Sequence, residues 1–221
     1  MSKFLKIFIV LTSILISKES ITIIAKPIDF SDKRVQMTKE YIKNHYGKNV
    51  NNININPKII ILHWTATMGL ENSFNRFKSE KLLSDRTDIS KASKLNVSAH
   101  YMVDRDGSIY KLMPDNQMAR HVIGLNYSSI GIENIGGVSN KKEDLTKAQV
   151  KANIVLIKYL KAKYPKIDYL LGHYEYRKME KSKLWLEVDK GYRTFKKDPG
   201  KKFMEEVRKG IEKLKLRKPP K

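Results

Sequence analysis

Two apolar runs in this 221-residue chain end on a histidine: KIIILHW over 58–64 and IDYLLGH over 167–173. One histidine at a strand end is ordinarily a hydrogen-bonded structural residue. Two at the same end of neighbouring strands would make a site. Farther along, FKKDPG sets Asp198 ahead of Pro199-Gly200, a turn that holds its carboxylate in place. Two histidines and a carboxylate form a ligand set for catalytic zinc, with the fourth tetrahedral position left to water. Zinc lowers the pKa of such a water to about 7. His63, His173 and Asp198 are therefore the candidate metal ligands. Their spacings fit no compact helical motif such as HExxH, so the fold must bring them together.

The elements that would do so are legible in outline. Residues 58–64 form a continuous β-branched strand, as expected when both faces are covered. Phe74, Phe77 and Leu82 lie near helical spacing and predict a helix over 71–85. NVSAHYMVDRDGSIYKLMP, 96–114, reads as a hairpin turning at Asp106-Gly107. SSIGIENIGG, 128–137, is a strand closed by glycines, and 167–173 is a further buried strand. Thr146 and Gln149 form a capping-box pattern ahead of a helix over 146–163, which Pro165 stops. KFMEEVRKGIEKLKL, 202–216, is an amphipathic helix. Strands interleaved with helices predict one α/β domain with a central mixed β-sheet flanked by helices. Its expected span is 57–215, after a polar lead-in over 26–56 and before a basic tail over 216–221. The lead-in holds one short helical stretch, DKRVQMTKEYIKN, and NNININP reads as linker.

Composition narrows the chemistry. The chain has no cysteine, which excludes disulfides, thiolate zinc sites and a cysteine nucleophile. Its 44 Lys and Arg against 23 Asp and Glu give a net charge of +21, attractive to anionic wall polymers, anionic lipid or nucleic acid. The positive charges are dispersed and carry no nucleic-acid motif, so specific nucleic-acid recognition is not expected. At the N-terminus, Lys3 and Lys6 precede an apolar run from Ile7 to Ile16, and Ala25 offers a small residue for cleavage. That pattern predicts a signal peptide or N-terminal anchor over 1–25 and an exported protein. Its place is the periplasm or cell envelope, or the medium if the signal is cleaved and no outer membrane intervenes.

ILHWTAT, VSAHYMVDRDGSIY, ARHVIGLNYSSIGIEN, LLGH and KKDPG follow one another in the order seen in the zinc-dependent N-acetylmuramoyl-L-alanine amidases. That family includes phage lysozyme-type amidases and is related to peptidoglycan recognition proteins, and the chain resembles it over about 57–210. The resemblance implies one zinc on His63, His173 and Asp198, a catalytic glutamate at Glu133 and a catalytic lysine at Lys196. It implies a peptidoglycan or muropeptide substrate, cleaved between N-acetylmuramic acid and L-alanine. Amide hydrolysis asks for these groups: a carboxylate to shuttle the proton, and a cation to face the oxyanion. Ala99 stands where some relatives have a tyrosine, which places more weight on Glu133. Trp64, His100 and His121 are candidate substrate contacts; for the two histidines the alternative is packing and hydrogen bonding behind the site. The segment 174–195, with Tyr174, Tyr176, Trp185 and Tyr192, is longer than the family's loop there. It reads either as a lid over the glycan or stem peptide or as a surface excursion packed on its own aromatics. The rival to the enzyme is a module of the same fold that binds muropeptide without cleaving it.

Overall fold

The computed structural model describes residues 21–220, so the expected leader lies outside the described residues up to residue 20; its last residues do not, and Ile24–Ala25, where cleavage is expected, pair as a strand with Tyr110–Lys111. One six-stranded mixed sheet organises the chain, in the order β1-β4-β3-β5-β2-β6. Its strands are β1 (Ile24–Ala25), β2 (Ile59–Trp64), β3 (Tyr101–Val103), β4 (Ile109–Lys111), β5 (Ser129–Asn134) and β6 (Tyr169–Gly172). Strands β3, β5, β2 and β6 run parallel, and the β3–β4 hairpin supplies the antiparallel pair. The helices are α1 (Asp32–Tyr46), α2 (Leu70–Lys78), α3 (Lys147–Lys163) and α4 (Lys201–Gly210). Among the described residues no helix is long and apolar enough to cross a membrane.

The centre of the sheet is covered on both faces. Ile60, Leu62, Ile130, Ile132 and Leu170 meet α3 and α4 through Leu156, Ile157, Leu160, Phe203 and Val207. On the other face, Ile59, Ile61 and Leu171 meet Val122, Ile123, Leu125, Tyr176 and Met179. Continuous apolar strands are what such two-sided burial requires. The capping box of α3 forms in both directions: the Gln149 amide donates to Thr146 Oγ1 at 3.1 Å, and the Thr146 amide donates to Gln149 Oε1 at 2.9 Å. The Gln149 side chain also donates to the carbonyls of Val103 and Ile135, fastening α3 across the ends of β3 and β5.

Several boundaries differ from those expected, each for a physical reason. The α2 helix stops at Lys78 rather than running to 85. There the buried Arg34 guanidinium donates to the carbonyls of Phe77, Lys78 and Ser79, and Asn96 Nδ2 to those of Arg76 and Ser79, satisfying the helix end from outside. The lead-in is not a loose linker but part of the domain. Tyr41 and Ile42 of α1 are buried, and so are Ile53 and Ile55 of NNININP. The Ile55 amide donates to the Asn116 carbonyl and the Met118 amide to the Ile53 carbonyl. The N-I-N-I-N alternation is the period-two signal of a half-buried extended chain. At the other end, the α-helix ends at Gly210, and a bridge between Arg217 and Tyr169 covers the outer edge of β6.

Candidate metal centre and cleft

Backbone register positions the first two groups. His63 of β2 and Glu133 of β5 are direct partners on adjacent parallel strands, so their side chains leave the same face. The Asn134 side-chain amide donates to the His63 carbonyl at 3.0 Å, and Asn134 in turn accepts from Asn153 of α3 at 2.6 Å. His173 follows β6 by one residue. The Tyr174 amide donates to the Asp198 carbonyl at 3.0 Å, laying the loop before α4 beside it.

Three donor atoms converge there. His63 Nδ1 lies 3.0 Å from His173 Nδ1 and 3.2 Å from Asp198 Oδ2, and His173 Nδ1 lies 2.9 Å from the same oxygen. All three residues are buried, and among the described residues this is the group able to hold a metal ion. A tetrahedral ion about 2.0–2.1 Å from each donor sets its donors roughly 3.3 Å apart, close to this triangle. Protonation fits as well. Burial drives the His173 pKa down to about 4, against the pull of Asp198. Burial alone would raise Asp198, but the His173 and His63 imidazoles outweigh it and hold the carboxyl well below its ordinary range. Ionised Asp198 beside neutral His173 suits a divalent cation.

The donors open into a cleft of about 730 Å³ that is also lined by Glu133, Lys196, Trp64 and His121. Glu133 is 7% exposed and its Oε2 has no hydrogen-bond partner. Burial first, and the charge of Asp198 second, raise its pKa well above the carboxylate range, with Arg86 and Lys196 opposing the rise. His100 is drawn away from the cleft. Its Nε2 donates to the Gln117 carbonyl at 2.9 Å and its Nδ1 accepts from the Gly131 amide at 3.0 Å, so neither nitrogen is left for substrate. Trp64 is 7% exposed, its indole N–H donates to Asn140 Oδ1 at 2.8 Å, and its ring presses on Gly137, so it is a wall rather than a free stacking platform. The exposed aromatic at the rim is Phe195, beside Lys196.

The long segment after β6 is packed along most of its length. Met179, Leu184 and Trp185 join the core on the His63 face, and a side chain at Gly124 would strike the Trp185 ring. Of its later residues, Tyr192, Thr194 and Phe195 line the cleft. The loop after α2 also lines the cleft, through Asp85, Arg86 and Asp88. Nothing in the residue pattern marks Arg86 as a cleft residue. Ser129 and Gly131, by contrast, share a face with Glu133 by simple alternation along β5.

The profile of the N-acetylmuramoyl-L-alanine amidase family (Amidase_2) matches residues 35–201, beginning inside α1. No curated protein matches significantly. Among solved structures, the chain is similar to the N-acetylmuramoyl-L-alanine amidase LysC from Clostridium intestinale URNW: 21% identity, 87% of this chain and 99% of that one covered, TM-score 0.52. The endolysine amidase LysCS from the same organism is 20% identical, with 86% and 95% covered and a TM-score of 0.52. An AmpD selenomethionine derivative is 23% identical, with 71% and 85% covered and a TM-score of 0.50. At these identities the likeness is one of fold; the profile match spans well over half of the residues, and by it this chain belongs to the N-acetylmuramoyl-L-alanine amidase family.

Proposed function

We propose that this cleft hydrolyses the amide between the lactyl group of N-acetylmuramic acid and L-alanine in peptidoglycan, with one zinc ion per chain held by His63, His173 and Asp198. The observation that carries the reading is three donor atoms within 3.2 Å of one another, beside a buried carboxyl with an unpartnered oxygen. Bound there, zinc supplies Lewis-acid polarisation and a more acidic water. Glu133 takes the proton from the attacking water and returns it to the leaving nitrogen of L-alanine. A carboxyl with a raised pKa suits the second task, because it holds its proton until the amine leaves. Lys196 faces the charge that grows on the carbonyl oxygen.

Mass spectrometry of muropeptides incubated with the protein tests the reading. The expected products are a stem peptide with a free L-alanine amine and an intact lactyl sugar, with one zinc per chain by elemental analysis. Muropeptide binding without cleavage by the zinc-loaded protein would support the binding module instead. We further propose that the chain is exported, a reading supported by Lys3 and Lys6 ahead of the apolar run from Ile7 to Ile16, and that its charge of +21 draws it to anionic wall or membrane surfaces. Sedimentation with purified walls should then weaken steeply with salt.

A further inference from the structure

His121 reaches the centre from the loop between β4 and β5. Its ring lies against Gly131, where a β-carbon would come 2.7 Å from the His121 ring. Asn126 Oδ1 accepts from the backbone amides of His121 and Val122 at 2.9 and 2.8 Å, fixing where the ring starts. His121 Nδ1 is 3.0 Å from His63 Nε2, the nitrogen that points away from the three converging donors. His121 Nε2 is 3.2 Å from Ser129 Oγ, and Ser129 Oγ is 2.8 Å from the Leu125 carbonyl.

Counting protons gives this chain of contacts a direction. A carbonyl only accepts, and a serine hydroxyl has one proton. Ser129 gives that proton to Leu125 and so accepts from His121 Nε2–H. A neutral imidazole carries one N–H, which leaves His121 Nδ1 bare and able to accept only from His63 Nε2–H. His63 Nδ1 is then a bare lone pair aimed at His173 and Asp198. The reversed order would put a proton on His63 Nδ1 and block it as a ligand. We propose that His121 and Ser129 are positioning residues that fix the tautomer of His63 and so make its Nδ1 the metal-binding atom. Gly131 belongs to the same device, because it leaves the space in which the relaying ring lies. Ligand histidines ordinarily give their second N–H to a carboxylate, carbonyl or water. Here another imidazole receives it and passes the constraint on to a backbone carbonyl. The inference rests on the metal centre proposed above.

The test is zinc affinity of the full-length protein at neutral pH, measured by competition with a chromogenic chelator and independent of turnover. Ser129→Ala and His121→Phe are expected to raise the zinc Kd by roughly 10–100-fold, the usual worth of a partner behind a ligand. His121→Asn keeps an acceptor near the position of Nδ1 and should recover most of the loss. Gly131→Ala removes no polar group yet displaces the ring, and should behave like His121→Phe. Long-range proton–nitrogen NMR of the zinc-loaded protein should find His121 and His63 both protonated on Nε2. If His121→Phe does not fold, Ser129→Ala and Gly131→Ala decide. Native zinc affinity in the variants, or a proton on His121 Nδ1, overturns the relay alone. Failure of the unaltered protein to bind zinc overturns the metal centre and the relay with it.

Discussion

Glu133 is held by its strand, not by its side chain's partners, so a change at its tip should be felt by chemistry before stability. In Glu133→Gln, size and most hydrogen-bonding capacity remain while the basic oxygen is lost. Zinc content should stay at one per chain and kcat should fall by roughly 10²–10⁴, the worth of a positioned acid–base group. Near-native kcat in a folded, zinc-loaded variant would remove Glu133 from the mechanism. Ala99, buried in the core with Phe74, Phe77 and Met102, offers no phenol to stand in. At this scale the sequence is informative wherever a residue breaks the pattern of its own element. His63 and His173 end apolar strands, and Glu133 is an acid in a buried one. His100 breaks the pattern just as visibly, yet both its nitrogens serve backbone groups. Residue type alone does not separate a ligand from a staple; what each nitrogen faces does.

Between elements, the joint most open to manipulation is His45. From α1 it reaches Glu187 of the long segment through Nδ1, with both oxygens at 3.0 Å, and the Ala92 carbonyl of the loop after α2 through Nε2, also at 3.0 Å. Arg120, Tyr41 and Tyr192 surround the pair, and Arg120 itself donates to the carbonyls of Ile89, Ser93 and Leu95. Burial alone would lower the His45 pKa, but the hydrogen bonds to Glu187 and Ala92 and the charge of Glu187 outweigh it and raise it. A raised folded-state pKa means stability fully present below the unfolded value of about 6.5 and lost as pH climbs through the folded value. Unfolding free energy from urea titrations, followed by the fluorescence of Trp64 and Trp185, should fall across that window. A His45→Gln chain should be less stable on the acid side and flatter with pH; an unchanged slope would discard the pairing as its source. The same packing bears on the lid reading. Removing residues 178–190 takes out Met179 and Glu187, both buried, so the expected result is a lower melting temperature. KM for intact wall and for small muropeptides should then shift together. A selective rise in KM for the wall would restore the lid.

Over the whole molecule, the lead-in is the part that composition describes worst. Its polar surface conceals a helix whose buried Arg34 donates to four carbonyls, those of Asp29, Phe77, Lys78 and Ser79. Arg34→Ala leaves those acceptors in a dry setting and should cost about 3 kcal/mol, measured by urea unfolding. A loss under about 1 kcal/mol would mean that water replaces the guanidinium. Five strands of the sheet and its helices were legible because period two, period 3.6 and a capping box are local signals; β1 was not, because its two residues fall at the end of the expected leader. The docking of α1, the early end of α2 and the cleft wall at Arg86 were not, because they depend on partners more than forty residues away or on loop paths without periodicity. The register of His63 against Glu133 carries a further consequence. In the proposed mechanism, the spacing between the metal-side histidine and the proton-side glutamate rests on the separation of hydrogen-bonded strands, about 4.8 Å, which any β-sheet reproduces whatever its side chains. The exposed rim of the cleft can therefore drift, taking on new preferences for glycan, stem or surface, while the working gap is inherited from the backbone. Selection is free to retune what this cleft recognises without reinventing what it does.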